Sequence, residues 1–207
     1  NVAELSVLAA LDDSSPYPQW FAALGATAYW GIGRFRTRSP RLLSAEAIKD
    51  TEPAIDISGV RGGIEYRDAY LRDNDARFVF GFVRSAIESG AAVANYVELT
   101  DARRVDRHWL LGLHDLESGE RFEMRARTLV NAAGPYVDGL NSDWGVNTDH
   151  RIVYSKGIHL IVNRLTTSEH QRVLAFFDDS GRLFYVIPMG LRSVIGTTDT
   201  RTDDPHA

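Results

Sequence analysis

Three short stretches hold residue types that can do chemistry. The first is "YSKGIHLIVN" (154–163), where His159 follows the Lys156-Gly157 pair inside an apolar run. An imidazole changes charge near neutral pH and can take a proton from a hydroxyl, and a nearby glycine lets a ligand approach the backbone. The same pattern also describes a buried strand with a core histidine satisfied by one hydrogen bond, because Ile158, Leu160, Ile161 and Val162 leave neither face polar. The residues alone leave both readings open. The second stretch, "VNAAGP" (130–135), reads as an apolar strand ending in small residues. Such an end lets a cofactor lie against bare backbone, although a tight turn packed under a helix needs the same residues. The third, "IGTTDT" (195–200), gathers three threonines around Asp199 at a strand end. Those hydroxyls can bind phosphate oxygens, or simply cap and turn the chain. In "GGIEYRD", Tyr66 and Asp68 alternate with Glu65 and Arg67. Strand alternation then sends one pair to a pocket or core and the other to solvent.

Composition removes several classes of function. The 207 residues carry a net charge of -5 and no cysteine. Disulfides, thiolate metal sites and a cysteine nucleophile are therefore excluded. There is no lysine/arginine stripe, so nucleic acid is not an expected partner. No apolar run approaches the roughly 20 residues of a membrane span. The histidines at 108, 114, 150, 159, 170 and 206 are not at metal-ligand spacing. "GIGRFR" (31–36) lacks the third glycine and the preceding strand of a dinucleotide fingerprint. With 44% hydrophobic residues, the chain can build one large domain or two small ones. It opens with a periodic pattern already running and stops at "GTTDTRTDDPHA", as a piece excised from a longer protein would.

The elements that position these stretches follow from periodicity. Residues 1–11 read as a helix on the spacing of Val2, Leu5, Leu8 and Ala9, and a second helix covers 20–30. "RFRTRSPR" (34–41) reads as a solvated turn or as a basic, aromatic surface for anionic lipid. Ser44 caps a short helix that Pro53 stops. Residues 59–71 read as a strand with a bulge at Gly62-Gly63. The strongest helix covers 75–89, capped by Asp73 or Asn74, with Phe78, Val79, Phe82, Val83, Ala86 and Ile87 on one face and Gly90 beyond its end. Strands are expected at 92–99, 108–116, 121–127, 128–134, 152–163, 172–178, 183–188 and 193–198.

In order along the chain, "GGIEYRDAYLRDNDAR", "LVNAAGPYVD", "SKGIHLIV" and "LFYVIPMGLRSVIGTTDT" resemble the FAD-dependent glycerol-3-phosphate dehydrogenase and glycerol-3-phosphate oxidase family over about residues 42–200. The resemblance implies an α+β / α/β fold, a partial Rossmann-type FAD-binding domain interleaved with a mixed-sheet substrate domain. It places residues 1–53 in a helical segment, 54–72 and 150–202 in substrate-domain strands, and 73–149 in the returning part of the FAD-binding domain. By the same resemblance, Ala132, Ala133 and Gly134 lay their backbone against FAD and Val97 contacts its adenine side. His159 becomes the active-site base and Thr197 a substrate-side hydroxyl. Tyr136 departs from the tryptophan common after the Gly-Pro.

The family's glycine-rich FAD fingerprint and one substrate arginine would lie before residue 1. A second phosphate-binding arginine and a lysine would lie after residue 207. The implied activity is oxidation of glycerol 3-phosphate to dihydroxyacetone phosphate, with electrons passing to quinone or O2. The chain by itself is expected to be inactive and without FAD. The implied location is cytoplasmic, or peripheral on the inner face of the cell membrane. An amino-acid or amine oxidase of the same flavoprotein class is the alternative, and a noncatalytic membrane- or partner-facing domain is a third reading.

Overall fold

A computed structural model describes residues 2–166 and 172–204. In chain order its elements begin with β1 (Val2–Leu11), α1 (Gln19–Ile32), β2 (Arg41–Leu43), α2 (Ala45–Thr51), β3 (Gly62–Leu71) and α3 (Asp75–Glu88). There follow β4 (Val97–Val105), β5 (His108–Asp115), β6 (Arg121–Ala126), a 3-10 turn (Gly134–Tyr136) and α4 (Val137–Asp143). The remainder is β7 (Tyr154–Lys156), β8 (Leu160–Asn163), β9 (Arg172–Phe177), β10 (Leu183–Met189), β11 (Arg192–Gly196) and β12 (Thr200–Thr202). The chain forms two compact units, residues 1–78 with 157–200 and residues 79–156 with 201–207. Among the described residues, no helix is long and apolar enough to cross a membrane.

The first unit rests on a mixed sheet in the order β2-β3-β1-β9-β10-β11-β8. Its central strand β1 corrects the helix expected over 1–11. It pairs antiparallel with all of β3 and parallel with β9. Both its faces are covered, Val7 within one core cluster and Leu8 within the other. A strand buried on both faces reads as a continuous apolar run and loses the alternation that would reveal it. The segment 1–53 is therefore mixed rather than helical.

Pairing sends Leu5, Val7, Ala9, Ile64, Tyr66, Ala175 and Tyr185 to one face, where α1 lies. Leu8, Leu174 and Val186 go to the other, where they pack with Ile48 of α2 and with Ile55. Ser44 caps α2 as expected, its hydroxyl accepting the Ala47 N–H. The bulge expected at Gly62-Gly63 is absent, since the β1–β3 register is continuous. These glycines instead permit close packing: a Cβ on Gly63 would strike Ala9 O and Ile48 Cδ1.

The charged residues of the second face close a buried network. Arg172 donates to Glu52 Oε1 at 2.7 Å and to Glu65 Oε1 at 3.3 Å, and Arg41 also pairs with Glu65. The Ser6 hydroxyl donates to Glu65 Oε1 at 2.5 Å. Glu52, Glu65 and Arg172 are all buried. Burial pushes the Glu65 carboxyl up, but Ser6, Arg41 and Arg172 more than offset it and hold it at about 2.

The second unit contains a three-stranded antiparallel sheet, β4-β5-β6, and the β7-β12 ladder. The β5–β6 hairpin occurs as expected, whereas β4 starts at Val97 rather than 92 and runs on to a turn before β5. The strand expected at 128–134 is not formed. No ladder pairs with it among the described residues, and Val130 is 79% exposed. α3 is capped by Asn74 Oδ1, which accepts the Arg77 N–H at 2.9 Å, but none of its residues is buried.

Arg172→Met is expected to destabilise the fold by about 3–5 kcal/mol in urea unfolding, because two buried carboxylates lose their shared cation. A depressed folded-state pKa places the Glu65 contribution fully above the ordinary carboxylate value of about 4.3, and it is lost as pH falls from there toward 2. Thermal melts across that window should fall steeply for the wild type and less so for Glu65→Gln.

Candidate functional site

The expected continuous, buried strand over 152–163 is two short strands, β7 and β8, broken at residues 157–159. His159 is therefore not a core histidine. It is exposed, as are Ile158, Leu160 and Ile161. β8 is an edge strand with one flank unpaired, which is why its apolar residues stay uncovered.

The break is fastened to the end of β11. The Ile158 N–H donates to Thr198 Oγ1 at 3.0 Å, and the Thr198 N–H donates to Ile158 O at 3.4 Å. This two-point clamp sets the His159 ring over Gly196, where an added Cβ would meet Cδ2 at 2.5 Å. A Cβ on Gly157 would likewise meet Thr197 Oγ1 at 2.7 Å. Two glycines and a threonine thus shape the seat of the imidazole. Thr198 was not singled out from the sequence; its place in "GTTD" could have suggested the role, but the distance of 40 residues to Ile158 hid the contact.

Thr197 follows Gly196 in the first unit, and its hydroxyl donates to Thr198 O at 2.8 Å. Its lone pairs remain to accept a hydrogen bond. Thr197 and Thr198 also line a cleft of about 240 Å³ with Arg182 and Asp178. Arg182 is engaged there, donating to Asp199 O at 2.8 Å.

Ala132, Ala133, Gly134 and Val97 belong to the second unit. Asn131 shapes the small-residue stretch from within. Its Oδ1 accepts the Ala133 N–H at 3.3 Å, and its Nδ2 donates to Val137 O and Asn141 Oδ1. Gly134 has φ +56°, and nothing lies within 4 Å of where its Cβ would be. The outer backbone of this bend is bare, so it fits a flat cofactor approaching the main chain. Val97 opens β4, an edge strand whose outer backbone joins no ladder among the described residues.

The alternation in β3 resolves differently from the simple expectation. Tyr66 and Asp68 line a cavity, yet Glu65 is buried and Arg67 is half-buried against Glu4, so neither pair is merely solvated. Among the described residues no cluster could hold a metal ion; His170 and His206 lie outside them.

The architecture is mixed α/β with a bare backbone turn, and comparison with known proteins gives its class. The chain belongs to the FAD-dependent oxidoreductase family, whose model matches residues 7–207. Within it, the chain is similar to the aerobic glycerol-3-phosphate dehydrogenase of Escherichia coli, 30% identical over 199 residues, covering 92% of this chain and 37% of that protein. The corresponding enzyme of Staphylococcus haemolyticus is 29% identical over 186 residues, covering 87% of this chain and 33% of that protein. The fold matches the FAD complex of glycerol-3-phosphate dehydrogenase from Bacillus halodurans with a TM-score of 0.75 at 22% identity, covering 100% of this chain and 36% of that one. The chain thus spans about a third of the length of these relatives.

Gly196→Ala is expected to shift the His159 ring resonances in NMR while leaving the far-UV circular dichroism unchanged. Thr198→Val should speed hydrogen exchange at the Ile158 amide and cost about 1 kcal/mol of stability.

Proposed function

We propose that this chain is part of an enzyme that oxidises sn-glycerol 3-phosphate to dihydroxyacetone phosphate with FAD. The observation that carries the reading is the exposed imidazole of His159, clamped between the "SKG" and "GTTD" motifs and presented from a sheet edge. Oxidising a secondary alcohol removes a hydride from carbon and a proton from oxygen. FAD, when bound, accepts the hydride. His159 takes the hydroxyl proton, and its seat over Gly196 fixes the direction from which it does so. Thr197 accepts a hydrogen bond on the substrate side. The backbone of Ala132, Ala133 and Gly134 lies against FAD, and Val97 contacts the adenine side.

The electron acceptor is quinone or O2. A peripheral contact with the inner face of the cell membrane is supported by the segment after α1. Phe35 there, and Trp20 and Ile32 of α1, are exposed, and Arg38 and Arg41 of this segment line a cavity with Arg67 and with Glu65, the partner of Arg41.

The test uses an FAD-loaded polypeptide that carries this segment with the stretches its relatives have on either side. His159→Ala should slow flavin reduction by glycerol 3-phosphate by roughly 10²–10⁴-fold, with the loss growing smaller as pH rises. An undiminished rate removes His159 from the reaction, and reduction by glycine or sarcosine instead of glycerol 3-phosphate replaces the substrate assignment with an amine oxidase.

A further inference from the structure

A cavity of about 350 Å³ lies between α1 and the sheet face that carries His159. Its walls include Tyr17, Tyr29, Tyr66, Phe177 and Tyr185, and Asp68 joins them. It adjoins the His159 seat at one wall, where Tyr185 pairs with Gly196, and extends away from it. The register places Gly196 beside Tyr185, then Ala175, then Ala9, so the imidazole and the far part of the floor are three strands apart. At the usual strand spacing that is about 14 Å.

The chemistry of the walls is one-sided. Asp68 Oδ1 accepts the Tyr29 hydroxyl at 3.0 Å and the Ala69 N–H at 2.7 Å. Among the described residues no lysine, arginine or histidine pairs with Asp68. Its neighbour Arg67 turns to the other side of the strand and pairs with Glu4. The Asp68 charge is felt inside the cavity. Its hydrogen bond and its charge raise the Tyr29 hydroxyl, while burial first, then Tyr185, Asp68 and Tyr29, push Tyr66 up to about 12. Tyr29 and Tyr66 therefore remain neutral, and their rings present electron-rich faces rather than phenolate charge. A lone carboxylate among aromatic walls is the chemistry that recognises an ammonium group, by charge and by cation–π attraction together. An anion would meet only repulsion from Asp68.

We propose that this cavity is a binding site for a small organic cation, an alkylammonium or quaternary ammonium head, held by Asp68 and the tyrosine rings. It goes beyond the reaction assigned above and does not rest on it. The small residues on its floor and on α1, Ala9, Ala175, Ala22, Gly25 and Ala26, leave the room that such a head needs.

The test is titration calorimetry of the full chain with choline and with its neutral isostere 3,3-dimethylbutan-1-ol. Choline should bind saturably, and at least tenfold more tightly than the isostere. Asp68→Asn should lower choline affinity at least tenfold and erase the preference for charge. Ala26→Leu keeps the carboxylate and fills the cavity from α1, so it should also weaken choline at least tenfold. Absence of saturable choline binding, equal affinity for the isostere, or unchanged choline affinity in either folded variant overturns the proposal. None of these outcomes depends on FAD or on turnover, so failure here is separate from failure of the proposed reaction.

Discussion

Arg172 is the contact on which the first unit turns. It sits under β1, grips Glu65 on β3 and reaches Glu52 at the end of α2, with all three groups buried. A buried cation between two carboxylates tolerates little displacement, because losing either partner leaves charge in a medium that cannot solvate it. The network thereby fixes which face of the sheet each strand presents. A slip of one residue would exchange the faces of every strand involved. It would carry Arg172 and Glu65 to the α1 side and take Tyr66 and Ala175 away from it.

The division of faces then determines what chemistry is available. The α2 side spends its polar groups on one another. The α1 side receives Ala9, Ala175, Tyr185 and Gly196 in one row, so the small residues leave a cavity above the sheet that the Tyr185 ring walls. Gly196 is buried while Thr197 and Thr198 beside it are exposed, and that step is where the imidazole rests. A larger residue at 196 would take the seat itself. The seat of the imidazole is thus a consequence of sheet register as much as of the histidine.

Local pattern carried the parts of this structure that depend on local contacts. α3 was legible from its apolar stripe and from Asn74, α2 from Ser44, and the β5–β6 hairpin from its Ser-Gly turn. β1 was not, because burial on both faces hides the period of two. The strand break before His159 was not, because the apolar run 158–162 predicts burial, whereas β8 lies on a sheet edge. "LVNAAG" promised a strand that finds no ladder. The contacts that matter most link residues too far apart for any motif: Glu65 and Arg172 are 107 residues apart, and Tyr29 and Asp68 are 39. The residues for the proposed reaction came from a series of motifs, while the ionic network and the tyrosine cavity could emerge only from the pairing of strands.

Charge is distributed unevenly along the α1 face, and this constrains how a phosphorylated substrate would lie. A phosphate ester is held best by guanidinium groups. Of the arginines near the site, Arg182 is occupied by Asp199 O, and Arg172 is committed to the opposite face. Asp68 adds negative charge at the far end of the row. A phosphate ester whose hydroxyl reaches His159 would therefore carry its phosphate away from Asp68, toward the β8 side of the sheet. The same field draws a cation in the reverse direction. Negative charge is thus concentrated at the Asp68 end of the face, with the imidazole toward the other end.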